Sequence, residues 1–139
     1  MANTVIESEK KTINAPSEEV FNFLCDFNNI VRILPADKIS NWQSSADDCS
    51  FKIQGAATIA LIKDSVESPN KINIVSGDKS PFPFTLVVEI SSLENQKCES
   101  YLVFNGEINA FLKMMVVSPL TNLFNYMAHK LQSEFNVPS

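Results

Sequence analysis

Over most of residues 39–108 the hydrophobic period is two, and this constrains the fold more than any other feature of the chain. Cys49, Phe51 and Ile53 alternate with Ser50, Lys52 and Gln54. Phe84, Leu86, Val88 and Ile90 alternate with Thr85, Val87 and Glu89, and Leu102, Phe104 and Ile108 alternate with Tyr101, Asn105 and Glu107. Successive side chains of a strand point to opposite faces, so each run is a strand with one buried side. The pattern predicts strands over 39–44, carrying Trp42, and over 49–54, 57–67, 84–90 and 97–108, with a further one around Ile72 and Ile74. Asp47-Asp48, Gly55, Ser68-Pro69-Asn70-Lys71, Gly77-Asp78 and residues 93–96 are the turns. Connections this short join neighbours antiparallel, as a meander. Residues 3–13 add a weaker strand, β-branched at both ends but polar from Glu7 to Lys11, as suits a sheet edge. A helix is the competing reading there, because Glu and Lys favour helices.

Two stretches break the period. Asn14-Ala15-Pro16-Ser17-Glu18-Glu19 reads as a helix start, with Ser17 as its cap and two acids in the first turn. Val20, Phe21 and Leu24 give that helix an apolar face. Asp26, Asn28 and Asn29 then interrupt it and open a second short helix bearing Ile30, Ile33 and Leu34, which Pro35 stops. Near the other end, Asn109 to Val117 reads as a short apolar segment. Ser118-Pro119 reads as a fresh cap followed by proline at the first helical position. Leu120, Leu123, Phe124, Met127, Leu131 and Phe135 recur at spacings of three and four, the stripe of a long amphipathic helix.

A sheet with one apolar face needs a cover, and the last helix is the only predicted element long enough to supply it. The expected architecture is α+β: a curved antiparallel sheet of about seven strands wrapped on a long C-terminal helix, in the order β-α-α-β6-α. With 139 residues, 45% of them hydrophobic and 19% charged, residues 1–139 are expected to form one domain.

Composition narrows the function. Net charge is −5 and Arg32 is the sole arginine, which speaks against nucleic-acid binding. The three glycines, Gly55, Gly77 and Gly106, build no phosphate-cradling loop. One histidine, His129, and three scattered cysteines, Cys25, Cys49 and Cys98, give no metal-ligand spacing, and no metal or other cofactor is expected. The same residues supply no convincing nucleophile–base pair. Thiols without a C-x-x-C motif, and Met1 to Lys11 without an apolar core, suggest a reduced, cytoplasmic protein without a signal peptide. The apolar run near residues 110–123 is interrupted by Lys113, Ser118, Pro119, Thr121 and Asn122, so no membrane insertion is expected.

The apolar residues expected between helix and sheet are Trp42, Phe51, Ile53, Ile59, Phe84, Leu86, Phe104, Met115, Leu120, Phe124 and Met127. They could line a ligand cavity or simply fill a core, because both use the same side chains. Tyr101, Tyr126, Trp42 and Arg32 are the large polar-tipped groups able to orient a ligand.

Ile13-Asn14-Ala15-Pro16-Ser17-Glu18-Glu19-Val20-Phe21-Asn22-Phe23-Leu24 resembles the opening of many proteins of the START-like (SRPBCC) helix-grip superfamily. This superfamily includes the birch-pollen-allergen, aromatase/cyclase and coenzyme Q-binding proteins. Phe27-Asn28-Asn29 with Leu34-Pro35 is similar to their second helix, and Asn109 and Pro119 to the approach and opening of their last. The resemblance spans essentially the whole chain. It implies a helix-grip fold and a small hydrophobic ligand, lipid-like or polycyclic, bound between helix and sheet without catalysis. No position matches a catalytic set. A cyclase- or hydrolase-type enzyme and a ligand-free interaction module are the alternatives, and homodimerisation is left open.

Overall fold

The structure, a computed structural model, describes residues 3–135. In chain order the elements are β1 (Thr4–Glu7), β2 (Lys11–Ile13), α1 (Ser17–Cys25), a 3₁₀ helix (Phe27–Ile33), β3 (Ile39–Ser44), β4 (Asp48–Ile53), β5 (Thr58–Glu67), β6 (Lys71–Ser76), β7 (Phe84–Leu93), β8 (Lys97–Gly106) and α2 (Ala110–Phe135). All strands pair antiparallel in one sheet, in the order β1-β8-β7-β6-β5-β4-β3, with β2 also on β8. The register aligns the apolar positions: Phe51 faces Ile59, Ile74 faces Leu86, and Leu86 faces Phe104. Helix α2 grips the concave side through Val116, Leu120, Leu123, Phe124, Met127, Ala128 and Leu131.

The sheet has eight strands instead of about seven, because the first strand is divided. Ser8 breaks it. The Ser8 N–H donates to the Leu102 carbonyl at 2.9 Å, and the Leu102 N–H donates to Ser8 Oγ at 2.8 Å, so a hydroxyl stands in for a backbone acceptor. Ile6 lies opposite Phe104 and Lys11 opposite Ser100, so five steps on one side meet four on the other, a bulge. The opposite edge, β3, shifts register between Ser40 and Gln43, where Asn41 takes φ 57°. Asn tolerates that left-handed conformation better than most residues. Both edges are thus irregular, which discourages pairing with another sheet.

The helix starts differ from expectation in two places. Pro16, not Ser17, occupies the cap of α1, and no side chain caps it. Ser17 is the first helical residue, buried, with its hydroxyl against that of Ser92. Asp26 does cap the 3₁₀ helix, accepting from the Asn28 N–H at 3.1 Å. The larger correction is α2, one continuous helix of 26 residues that runs through Pro119. Asn109 starts it, its Oδ1 accepting from the Leu112 N–H at 2.9 Å. Pro119 has no N–H to give the Met115 carbonyl, a loss that normally breaks a helix. Burial of Val116 and Leu120 on either side of the missing bond holds the helix together here.

Gly106 is required by packing. The Phe104 ring folds over its α-carbon, and a Cβ there would lie 2.7 Å from the ring. Among the described residues no helix is long and apolar enough to cross a membrane.

Candidate functional site

Eight of the eleven residues expected between helix and sheet do meet there: Phe51, Ile59, Phe84, Leu86, Phe104, Leu120, Phe124 and Met127. They surround a void of only about 10 Å³. The cause is a run of tilted rings in contact. Phe84 lies 5.2 Å from Phe104, Phe104 lies 5.5 Å from Phe124, and Phe82 closes the group at 6.0 Å from Phe84. A second void, about 20 Å³, lies under α1 and the 3₁₀ helix against Leu24, Phe27, Ile30 and Leu131. Each has room for about one water. The grip is therefore packed, and neither void is the size of a ligand.

The remaining three, Trp42, Met115 and Ile53, do not line that void. Trp42 is half-buried and stacks on Phe51 at 6.2 Å. Met115 is 46% exposed on the outer side of α2, because the helix runs unbroken through Pro119 and sets its phase from Val116. Ile53 lines an open cleft of about 480 Å³ at one end of the grip.

That cleft is ligand-sized and adjoins the core through a side chain of α2, Leu123. Its walls are the connection after the 3₁₀ helix (Pro35, Asp37, Lys38), the start of β3 (Ile39), the end of β4 (Ile53, with Gln54) and one face of α2 (Ser118, Pro119, Asn122, Leu123, Tyr126). Backbone bonds make the first wall rigid. The Lys38 N–H donates to the Pro35 carbonyl and the Gln54 N–H to the Lys38 carbonyl, both at 2.8 Å. The floor is apolar, from Ile39, Ile53, Pro119 and Leu123. Asp37, Lys38, Asn122 and the Tyr126 hydroxyl supply polar groups at the rim. Proline at 119 contributes the apolar face of its ring where the helix meets the cleft.

Of the polar-tipped candidates, only Tyr126 reaches this cleft. Arg32 is solvent-exposed at the other end of α2, where its Nη2 lies 2.9 Å from Glu134 Oε2. Tyr101 has Lys10 Nζ 5.1 Å from its ring centroid. His129 is exposed. Pro35, Lys38, Ile39, Asn122 and Leu123 line this cleft without having been expected to line a ligand space; Leu34-Pro35 and Ser118-Pro119 were the available signals.

The titrating groups offer little chemistry. Burial, with Asp48 adding repulsion, pushes the Cys49 thiol up to about 12, and burial also raises Cys98. Cys25 is raised by burial, partly offset by Lys63. These thiols stay protonated and unreactive near neutral pH. The buried polar side chains of the described residues are Thr4, Ser8, Ser17 and Ser100. Among the described residues no three His, Cys, Asp or Glu side chains gather as a metal site. A separate open depression of about 350 Å³ over β4 and β5 is lined by polar groups such as Gln43, Ser50, Asp78 and Lys79.

No family model matches the chain, and no curated protein matches it in sequence. Solved structures do. An aromatase/cyclase from a Streptomyces species matches with a TM-score of 0.77 at 12% identity, over 95% of this chain and 93% of that one. Norcoclaurine synthase from Thalictrum flavum matches with a TM-score of 0.74 at 8% identity, over 96% and 94%. A START superfamily protein from Mycobacterium smegmatis matches with a TM-score of 0.70 at 10% identity, over 94% and 96%. With the eight-stranded sheet and the gripped C-terminal helix, these likenesses establish that the chain has the helix-grip fold of the START-like proteins.

Proposed function

We propose that the protein binds a small, largely apolar molecule in the cleft between Pro35–Ile39, Ile53–Gln54 and the Pro119–Tyr126 face of α2, and does not transform it. The observation that carries this is size: about 480 Å³ with an apolar floor falls in the range of small-molecule sites, whereas the interior voids hold about one water each. The similar fold of norcoclaurine synthase, solved in complex with dopamine and hydroxybenzaldehyde, supports a ligand-binding reading.

A thermal-shift screen over fatty acids, sterols, quinones and flavonoid-like aromatics tests this. A ligand at a hundredfold excess over its dissociation constant adds about 2.7 kcal/mol of stability. Asn122 is exposed on the cleft wall, so Asn122→Trp should fill the cleft, leave the fold intact and abolish the shift. A screen without any shift, or a shift that survives Asn122→Trp, overturns the cleft as the site.

A ligand-free docking module is the second reading. It is favoured by one observation: Phe111 and Met114 at the start of α2 are 73% and 87% exposed above a filled core. A failed screen together with concentration-dependent self-association, lost in Phe111→Ser, would favour it.

A further inference from the structure

Helix α2 begins before the core does. Val116 is its first buried residue, so residues 110–115 form an arm that the sheet does not cover. Phe111, Met114 and Met115 are exposed on this arm and Leu112 is half-buried, with Lys113 as its one charge. A helical segment that is apolar on nearly every side normally lies buried. The cleft is the converse, an apolar floor without a cover. Phe111, Met115, Ser118, Asn122 and Tyr126 follow at spacings of three and four, so the arm and the α2 wall of the cleft share one stripe of the helix. Because that helix is continuous, the arm cannot turn back into its own cleft.

Resting on the cleft reading above, we infer that this stripe is a two-fold interface in which the arm of each copy closes the cleft of the other. Pairing of two chains and occupation of the cleft by a small molecule then exclude each other. Spacing selects a second copy as the partner. Two α2 helices packed antiparallel about an axis at Met115 set Phe111 of each opposite Pro119 of the other, since both lie four residues, about 6 Å, from the axis. Knob and hole meet twice through one patch, as an isologous contact requires. Charge agrees: Lys113 on the arm and Asp37 on the rim are opposite in sign, and neither has an ion-pair partner among the described residues. The irregular edges of the sheet disfavour the alternative of pairing strand to strand. The contact is small, so the dimer is weak and sensitive to whatever fills the cleft. By linkage, a filled cleft favours the monomer and dilution favours filling.

Sedimentation velocity at rising concentration reads the pairing, and a cysteine at the axis reads its geometry. The mass of the unaltered protein should climb from monomer toward dimer through the micromolar range. Phe111→Ser should weaken pairing about tenfold. Asn122→Trp, which fills the cleft from its own wall, should do the same with Phe111 still in place. A residue on a two-fold axis meets its own copy, so Met115→Cys should give a disulfide-linked dimer under mild oxidation. Met114→Cys, more exposed but about 100° round the helix, should link far less. The unaltered protein, whose thiols are buried or half-buried, is the control. A monomer at every concentration, pairing untouched by Asn122→Trp, or equal linkage at both cysteines overturns the interface. If the protein stays monomeric while the thermal-shift screen is positive, the interface falls and the cleft stands as a ligand site. A dimer linked through Met115, beside a screen without any shift, upholds the interface and overturns the ligand reading.

Discussion

Phe124 lies against Phe104, which in turn meets Phe82 and Phe84, so each ring has a ring for a neighbour on at least one side. Such a residue is part of a packed solid. Phe124→Ala should therefore cost about 3–5 kcal/mol, the loss typical of a deleted core aromatic, and not the smaller loss of a side chain facing open space. Urea unfolding of that variant checks this; a cost near 1 kcal/mol would mean the rings surround a larger space. At this scale the sequence was legible as far as which side chains meet. Phe51, Ile59, Phe84, Leu86, Phe104, Leu120, Phe124 and Met127 could all be named from period and phase. Whether they enclose a space or occupy it depends on a few ångströms in how the rings pack, and a residue pattern carries no such volume. Ile53 was named for the interior and is buried there, and as the last residue of its strand it also walls the cleft.

Helix α2 shows how two local rules can conflict. Proline after serine is a strong start signal, and residues 110–117 alone are a weak helix; both pointed to a break. The apolar phase from Val116 through Leu131 pointed to continuity, and burial decided for it. The cost remains in the structure as a helix without one of its hydrogen bonds. Pro119→Ala restores the N–H and should stabilise the protein by about 1–3 kcal/mol, seen as a higher midpoint in thermal unfolding. Because Pro119 forms part of the cleft floor, the same variant should weaken binding there. A variant that is less stable would show that the ring's contacts outweigh the missing bond. The divided first strand was illegible for a different reason: the serine that splits it acts through one hydroxyl–amide bond to Leu102. Nothing in composition marks such a bond.

The whole molecule couples its stability to pH through its interior. Cys49 is buried on β4 with its pKa at about 12, against 9.0 for a free thiol. Below 9 the thiol is protonated folded or unfolded and contributes nothing to the pH dependence. Between 9 and about 12 only the unfolded chain ionises, which favours unfolding. Stability should fall with rising pH there by about 1.4 kcal/mol per unit from this one group. Comparing denaturant midpoints of the protein and Cys49→Ala across that window isolates the contribution, and equal slopes would refute it. Architecture was legible at this scale despite identities of 8–12% to the structures that share it. Period-two runs, turns too short for crossovers and one long apolar helix leave few ways to bury the surface.

The uneven exposure of the methionines on α2 makes them a graded chemical record of the protein's breathing. Met114 is 87% exposed, Met115 46% and Met127 4%. Peroxide converts an accessible thioether to a polar sulfoxide. Met114 should be oxidised first and Met115 next, neither with loss of structure, as peptide mass spectrometry and circular dichroism would show. Met127 should react only as fast as the grip opens to admit the oxidant. Its half-life then times the opening of the interior without any ligand in hand. A molecule that lodges beside it should lengthen that half-life while leaving Met114 untouched, so one time course would report both occupancy and depth.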